Sequence, residues 1–135
     1  QLYELKNIAL FPFQPESMIR YSLPIADISL VSLDEGMENL MVPSKSLYYL
    51  AAGSALIGIA NKNSELSDII ENNECGLIVE PRKPDALVRA IISLMSDSDR
   101  LTSMKIHARL LAERKYSREV CTHKFSEYLK HAKLL

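Results

Sequence analysis

The fold is decided by the stretch SKSLYYLAAGSALIGIA, residues 44–60. Its first part has helical spacing and stops at Gly53, a residue that accepts a positive φ at little cost where a helix ends. Its second part, residues 55–60, is the most continuous apolar run of the chain. Such a run is typical of a strand buried on both faces of a parallel sheet. We therefore predict a helix followed by a buried strand at the centre of an α/β layer.

Outward from this stretch, short apolar runs alternate with longer amphipathic stretches. The predicted strands are residues 7–11, 27–33, 55–60 and 76–80. The predicted helices are residues 16–23, 44–52, 64–71, 84–95, 98–114 and 117–133. Strands and helices joined by short loops indicate right-handed parallel βαβ units. We expect an α/β fold with a doubly wound parallel sheet of about four strands and a C-terminal helical tail.

The composition excludes several classes of protein. The 135 residues suit one compact domain, and 47% hydrophobic with 24% charged residues is typical of a globular chain. A formal charge of -1 lacks the basic excess that a non-specific nucleic-acid binder needs. No apolar run reaches the roughly 18 residues that cross a bilayer. Cys75 and Cys121 lack metal-ligand spacing, and reduced, structural thiols fit a cytoplasmic setting.

A ligand site is expected where the predicted strands end, because open parallel sheets bind ligands outside the carboxyl ends of their strands. The connection after the second predicted strand, residues 34–43, is long and runs directly into the helix that begins at Ser44. Unpaired N–H groups and the helix dipole attract phosphate at such a point. Lys45 opposes the dipole preference unless it faces a ligand anion, and a solvated surface lysine is the alternative.

The segment PSKSLYYLAAGSALI, residues 43–57, resembles a motif of the family-4 glycosyltransferases. These are GT-B enzymes, also called glycosyl transferases group 1. Other segments match the family in the same order: LFPF at 10–13, IADI at 25–28, NECGLIVEP at 73–81, and the helices around 86–91 and 104–109. The resemblance therefore covers nearly the whole chain.

The resemblance implies the Rossmann-like C-terminal half of a GT-B fold, which binds the nucleotide-sugar donor. Because the chain opens with Gln1, we expect residues 1–135 to be a single donor-binding domain truncated at its N-terminus. The family's N-terminal half, which binds the acceptor, would be absent, and the fragment alone would be inactive.

The resemblance also implies a hexosyltransferase that uses a UDP- or GDP-linked sugar in polysaccharide or glycolipid synthesis. Family members usually retain the anomeric configuration. They generally work without a metal or another cofactor, because helix dipoles and basic side chains stabilise the departing nucleotide diphosphate. We expect a cytoplasmic enzyme, with peripheral membrane association of the full-length protein and no nucleic-acid partner.

The expected donor-binding residues surround the start of the helix at Ser44, and no catalytic residue is assigned. They are Phe11, Phe13, Glu38, Val42, Pro43, Ser44, Lys45 and Tyr48. Two glutamates of the family, eight positions apart, correspond to Leu40 and Tyr48, and neither is acidic here. Glu38 would replace the first if the loop is displaced by two residues, and the Tyr48 hydroxyl would bond the ribose. Phe11 and Phe13 follow a strand end where the family places the base.

Structural roles stay open as alternatives for these residues: core packing for Tyr48, a solvated loop acid for Glu38, and cover of a core edge for the two phenylalanines. A non-catalytic nucleotide-binding or interaction module with the same layer is the alternative function, which the missing glutamates favour. A phosphoacceptor receiver domain is disfavoured because no acidic pair follows the first predicted strand. His107, His123 and His131 lie in the helical tail without ligand spacing.

Overall fold

The computed structural model describes residues 5–33 and 42–132, which form one parallel sheet covered by helices. Its strands, side by side in chain order, are β1 (Ile28–Ser32), β2 (Ala55–Ile59) and β3 (Gly76–Val79). Leu30 of β1 is paired with Ile57 of β2 in a parallel register. Each of these strands coincides with a predicted one, so the α/β class and the parallel sheet are confirmed.

Helices and tight helical turns connect and follow the strands. In chain order they are α1 (Glu16–Ser22), a 3₁₀ turn (Leu23–Ile25), α2 (Ser44–Ala52), α3 (Glu65–Glu71), α4 (Pro84–Met95), α5 (Ser98–Leu111), a π-turn (Ala112–Tyr116) and α6 (Arg118–His131). The predicted helix at residues 98–114 therefore ends as an α-helix at Leu111 and continues with π geometry. Gly53 follows α2 with a φ of 71°, as its position after the helix predicts. Among the described residues, the helices are all too short or too polar to cross a membrane.

Both faces of the sheet are covered, because successive side chains of a strand point to opposite faces. On one face, Leu56 of β2 belongs to a buried cluster with Leu50 of α2 and Leu66 of α3. On the other face, Ile57 of β2 belongs to a cluster with Leu94 of α4. The sheet is thus doubly wound over the described residues, as expected for half of a GT-B fold.

Helix α5 joins the two faces by running across the amino ends of the strands. Met104 packs in the cluster on the α4 side, whereas Ala108 and Leu111 pack in the cluster on the α2 side. Lys105 contacts Asp27, the residue directly before β1. At the opposite edge of the sheet, where the strands end, residues 60–64 lead into α3 and residues 80–83 lead into α4.

The strand predicted at residues 7–11 does not form in the structure. The segment has no strand pairing, and the side chains of Leu10 and Phe11 are each 81% exposed. An apolar run becomes a strand only beside a partner that completes its ladder of hydrogen bonds, and the strands β1, β2 and β3 are bonded only to one another within the described residues. The sheet of the described chain therefore has three strands rather than about four.

Candidate functional site

The candidate site lies at the edge of the sheet where the three parallel strands end. Residues 33–43 follow β1, residues 60–64 follow β2, and residues 80–83 follow β3. Helix α2 begins at this edge, with Ser44 and Lys45 as its first two residues. Val42 and Pro43 lead into it and are half-buried, and Val42 packs against the cluster on the α2 side. The structure therefore brings four of the expected residues together.

The N-terminus of α2 differs from those of three other helices in having no side-chain cap. Ser64, Asp97 and Ser117 accept backbone N–H bonds at the starts of α3, α5 and α6. At α2 the cap residue is Pro43, and no side chain of the described residues accepts a bond there. The N–H groups of Ser44 and Lys45, which no side chain caps, are therefore available to an anion.

The charge at the start of α2 favours an anion as well. Lys45 is exposed, and no acidic residue lies in the first turn. Within the described part of the chain, Lys45 has no ion-pair partner, in contrast to Lys105 and Lys130, which pair with carboxylates. A free ammonium group next to the positive end of a helix dipole produces a local positive potential, which suits a phosphate group.

The buried side chain of Ser46 forms a hydrogen bond within this first turn. Its side chain is completely buried, and its hydroxyl donates to the Pro43 carbonyl at 2.6 Å. The backbone N–H of Ser46 donates to the same carbonyl at 2.9 Å. Sequence analysis did not select Ser46, although a serine at the third position of a helix is a signal for such a bond to the cap residue.

Tyr48 lies one helical turn after Ser44, and its side chain is 59% exposed. It lines a groove of about 420 Å³ between α1, the 3₁₀ turn and the second half of α2, together with Arg20 and Arg109. The ring is therefore not core, and it lines the same groove as two arginines.

The remaining expected residues are not brought to α2 by the described structure. Phe11 is 81% and Phe13 is 99% exposed, so neither ring packs into the carboxyl edge. Glu38 lies outside the described residues, as does Leu40, and the assignment of a donor contact to Glu38 stays a prediction.

A small cavity at the same edge was missed by sequence analysis. It measures about 200 Å³ and lies between the ends of β2 and β3 and the start of α4. Arg82, Lys83 and Glu80 are among its lining residues, and the backbone of Arg82 is left-handed with a φ of 58°. Two basic residues between prolines directly after a strand were the signal available in the sequence.

The larger grooves of the described residues lie elsewhere. Two of them, of about 530 and 450 Å³, flank Glu74 and His107 near the amino end of β3, on the opposite edge of the sheet. They are open and have mixed charge, whereas the smaller cavity shares its edge with the start of α2. Position relative to the strand ends, and not volume, therefore locates the candidate site.

The titratable groups of the described residues include no metal-binding cluster, and the buried cysteine is not activated. Over residues 5–33 and 42–132, histidine, cysteine and acidic side chains form no cluster that would hold a metal ion. Cys75 is buried in the core, and this burial raises the pKa of its thiol to about 11. A thiol with such a pKa is protonated and unreactive at neutral pH, which fits the structural role expected for it.

Comparison with known proteins identifies the class. The model of the family "Glycosyl transferases group 1" matches residues 1–111. The chain therefore belongs to this family of glycosyltransferases, as the resemblance of the motif at residues 43–57 implied.

A particular relative is the "Probable glycosyltransferase WbjE" of Pseudomonas aeruginosa. It is 33% identical to this chain over 106 residues, which are 78% of this chain and 26% of the relative. The chain thus spans about a quarter of the length of that protein. No solved structure matches the chain.

Proposed function

We propose that this chain binds the nucleotide-sugar donor of a glycosyltransferase that builds polysaccharide or glycolipid. The observation that carries the proposal is the first turn of α2. It has no side-chain cap, it carries Lys45, and it lies where the strands of the sheet end. This combination suits the diphosphate of a UDP- or GDP-linked hexose.

In the reaction, the bond between C1 of the sugar and the diphosphate oxygen breaks, and C1 forms a bond with an acceptor hydroxyl. Negative charge grows on the diphosphate as it leaves. The amides of the first turn and the ammonium group of Lys45 would stabilise that charge without a metal ion or other cofactor. Lys83, at the neighbouring strand end, adds a second positive charge at this edge.

The acceptor would be held by an N-terminal half of the enzyme, at the cleft between the two halves. We expect this chain alone to bind donor without transferring sugar. We place the full-length enzyme in the cytoplasm with a peripheral membrane association, where lipid-linked acceptors are accessible, and we expect no nucleic-acid partner.

The proposal is tested by amide NMR spectra of this chain during separate titrations with UDP, GDP and inorganic phosphate. We expect shifts of the Ser44 and Lys45 amides, with one nucleotide preferred over the other. Lys45→Ala should weaken binding about tenfold, the effect of losing one charge-assisted hydrogen bond. Lys124→Ala is the matched control, because it removes the same charge from an exposed position on α6.

Absence of shifts in α2 at millimolar nucleotide contradicts the proposal, and so does equal weakening by Lys124→Ala. The second candidate function is a non-catalytic nucleotide-binding module, which the tyrosine at position 48 favours, since the family has an acid there. The module would bind nucleotide in this titration, yet the full-length protein would transfer no sugar from either donor.

A further inference from the structure

We propose that Ser46 is a positioning residue that sets the geometry of the first turn of α2. The inference rests on the proposed function, because it concerns the turn to which that function assigns the diphosphate. Ser46 itself is completely buried and does not touch a ligand. It acts through the Pro43 carbonyl and, through it, on the peptide groups of Ser44 and Lys45.

The bonds to the Pro43 carbonyl show how the turn is held. An sp² oxygen can accept two hydrogen bonds, and Ser46 supplies two donors to it, its N–H at 2.9 Å and its hydroxyl at 2.6 Å. A hydroxyl bond of 2.6 Å is at the short end of the usual range. Because both donors belong to one residue, the orientation of the Pro43 carbonyl is tied to that residue.

Other helices of the chain hold their first carbonyl differently. In α3, α5 and α6, the carbonyl of the cap residue accepts an N–H from four residues further on, at 3.1, 3.0 and 3.0 Å. Helix α1 also follows a proline, and there too the N–H three residues further on donates to the proline carbonyl, from Met18 to Pro15 at 2.9 Å. Met18, however, has no hydroxyl. In α4 the Lys83 carbonyl accepts two N–H groups, from Ala86 at 3.0 Å and from Leu87 at 3.1 Å. Of the six α-helices in the described residues, α2 alone adds a hydroxyl bond to its cap carbonyl.

The hydrogen bond from the Ser46 N–H to the carbonyl three residues earlier tightens the first turn of α2 towards 3₁₀ geometry. The bond from the Ser46 hydroxyl to the same carbonyl stabilises this tighter turn. Burial of Ser46 keeps water from competing for its hydroxyl, so the bond is stronger than it would be between two exposed groups. The plane of the peptide between Pro43 and Ser44 is fixed by the same carbonyl. The direction of the Ser44 N–H, and with it the place where a phosphate oxygen is bound, follows from that plane.

The test compares Ser46→Ala with a matched control, Ser67→Ala. Ser67 is also completely buried and also occupies the third position of its helix, α3. Its hydroxyl donates to Glu71 at 3.2 Å rather than to a cap carbonyl. Both variants remove one buried serine hydroxyl, but only one of them acts on the first turn of α2. Ser46→Thr retains the hydroxyl and serves as the conservative variant.

Two readouts are made on the intact chain. In ligand-free amide spectra, Ser46→Ala should shift the Ser44, Lys45 and Leu47 signals, with the Leu47 N–H moving downfield as it replaces the lost hydroxyl as the second donor to the Pro43 carbonyl. In titrations with the preferred nucleoside diphosphate, Ser46→Ala should weaken binding three- to tenfold. Ser46→Thr should show wild-type amide signals and wild-type affinity. Ser67→Ala should change neither the amide signals of the first turn of α2 nor the affinity.

The two readouts separate the two proposals. Unchanged first-turn amides in Ser46→Ala overturn the positioning role, whatever the nucleotide does. Equal loss of affinity in Ser67→Ala also overturns it, since a general loss of stability would then explain the effect. If Ser46→Ala shifts the first-turn amides but the wild-type chain binds no nucleotide, the positioning role of Ser46 is supported and the proposed function is rejected.

Discussion

The ammonium nitrogen of Lys105 lies 2.6 Å from a carboxylate oxygen of Asp27, a residue 78 positions earlier in the chain. This pair connects α5 to the start of β1. Two neighbours on α5 make similar connections: Arg109 donates to the Ala51 carbonyl at the end of α2, and a ring nitrogen of His107 lies 3.3 Å from the Glu74 carbonyl. One helix therefore ties together the edge of the sheet that faces away from the candidate site.

The ion pair of Lys105 with Asp27 should contribute little to stability and should depend on salt. The side chains are 33% and 68% exposed, so water screens their attraction. We expect Lys105→Met to lower the free energy of unfolding by less than about 1 kcal/mol at low salt. Urea unfolding at about 0.05 and 1 M salt checks this, because the loss should shrink at the higher ionic strength. A loss that is unchanged by salt would mean that packing of the lysine stem dominates.

Gly76→Ala should be among the most damaging single substitutions in the sheet. A Cβ at this position would lie 1.9 Å from the carbonyl oxygen of Leu56, a backbone atom that cannot move without breaking the pairing of β2 with β3. We expect a loss of at least about 3 kcal/mol, or failure to fold, measured by thermal or urea unfolding.

Gly53→Ala is the comparison for that substitution. The added Cβ would meet its nearest neighbour, the Arg109 Cβ, at 3.8 Å, which is ordinary contact, but the φ of 71° is strained for alanine. Its expected cost is about 1–2 kcal/mol. The prediction is wrong if Gly53→Ala proves as damaging as Gly76→Ala.

Ser29 and Ser54 should show strong energetic coupling. Their hydroxyls lie 2.8 Å apart, and both side chains are buried. Either single alanine variant leaves a buried hydroxyl without its partner, which costs about 1–3 kcal/mol, whereas the double variant removes both polar groups. A double-mutant cycle by urea unfolding should show that the double variant costs at least about 1 kcal/mol less than the sum of the single ones. Additive costs would argue against the bond.

The two cysteines should differ sharply in their reaction with thiol reagents. Cys121 is exposed and Cys75 is buried, with a pKa of about 11. Incubation of the native protein with iodoacetamide at pH 8, followed by mass spectrometry, should show one label, on Cys121. Two labels should appear after unfolding in urea. Rapid native labelling of Cys75 would contradict its burial.

The raised pKa of Cys75 also predicts a loss of stability in alkali. The folded protein holds this thiol proton more tightly than an unfolded chain, whose thiol has a pKa near 9.0. The stabilisation is therefore complete below about pH 9 and disappears as the pH rises to about 11. Burial also raises the pKa of Tyr116, which adds to the effect in the same direction. Cys75→Ala should flatten, without abolishing, the fall in free energy of unfolding over this range.

Much of the fold could be predicted because local signals agree with tertiary contacts. The run at residues 55–60 is apolar on both faces and is in fact buried on both, and Pro84–Met95 has the same bounds in the sequence pattern and in the structure. The run at residues 7–11 has a similar local pattern but no neighbouring strand within the described part of the chain, and pairing is what makes a strand. Local periodicity does not contain that information.

The candidate site could be predicted in part, where its residues have a local signal in the sequence. Ser44 and Lys45 were found because a helix start after a strand is visible in the sequence. Ser46 was missed because its importance depends on burial and on the direction of the Pro43 carbonyl, which are tertiary properties. The position of Tyr48 beside Arg109 likewise depends on how α5 crosses α2, and residues 61 positions apart show no such relation in a sequence pattern.

The crossing of α5 beneath the strands has a consequence for synthesis of the protein. Lys105 is added 78 residues after Asp27, which at about 5–20 residues per second corresponds to roughly 4–16 s of translation. Within that interval β1, α2 and β2 are synthesised, and all three precede the helix that covers the amino ends of the strands. The amino ends of the strands in the nascent sheet therefore stay uncovered until α5 has been synthesised, and the contact between Lys105 and Asp27 is among the later ones that the growing chain can make.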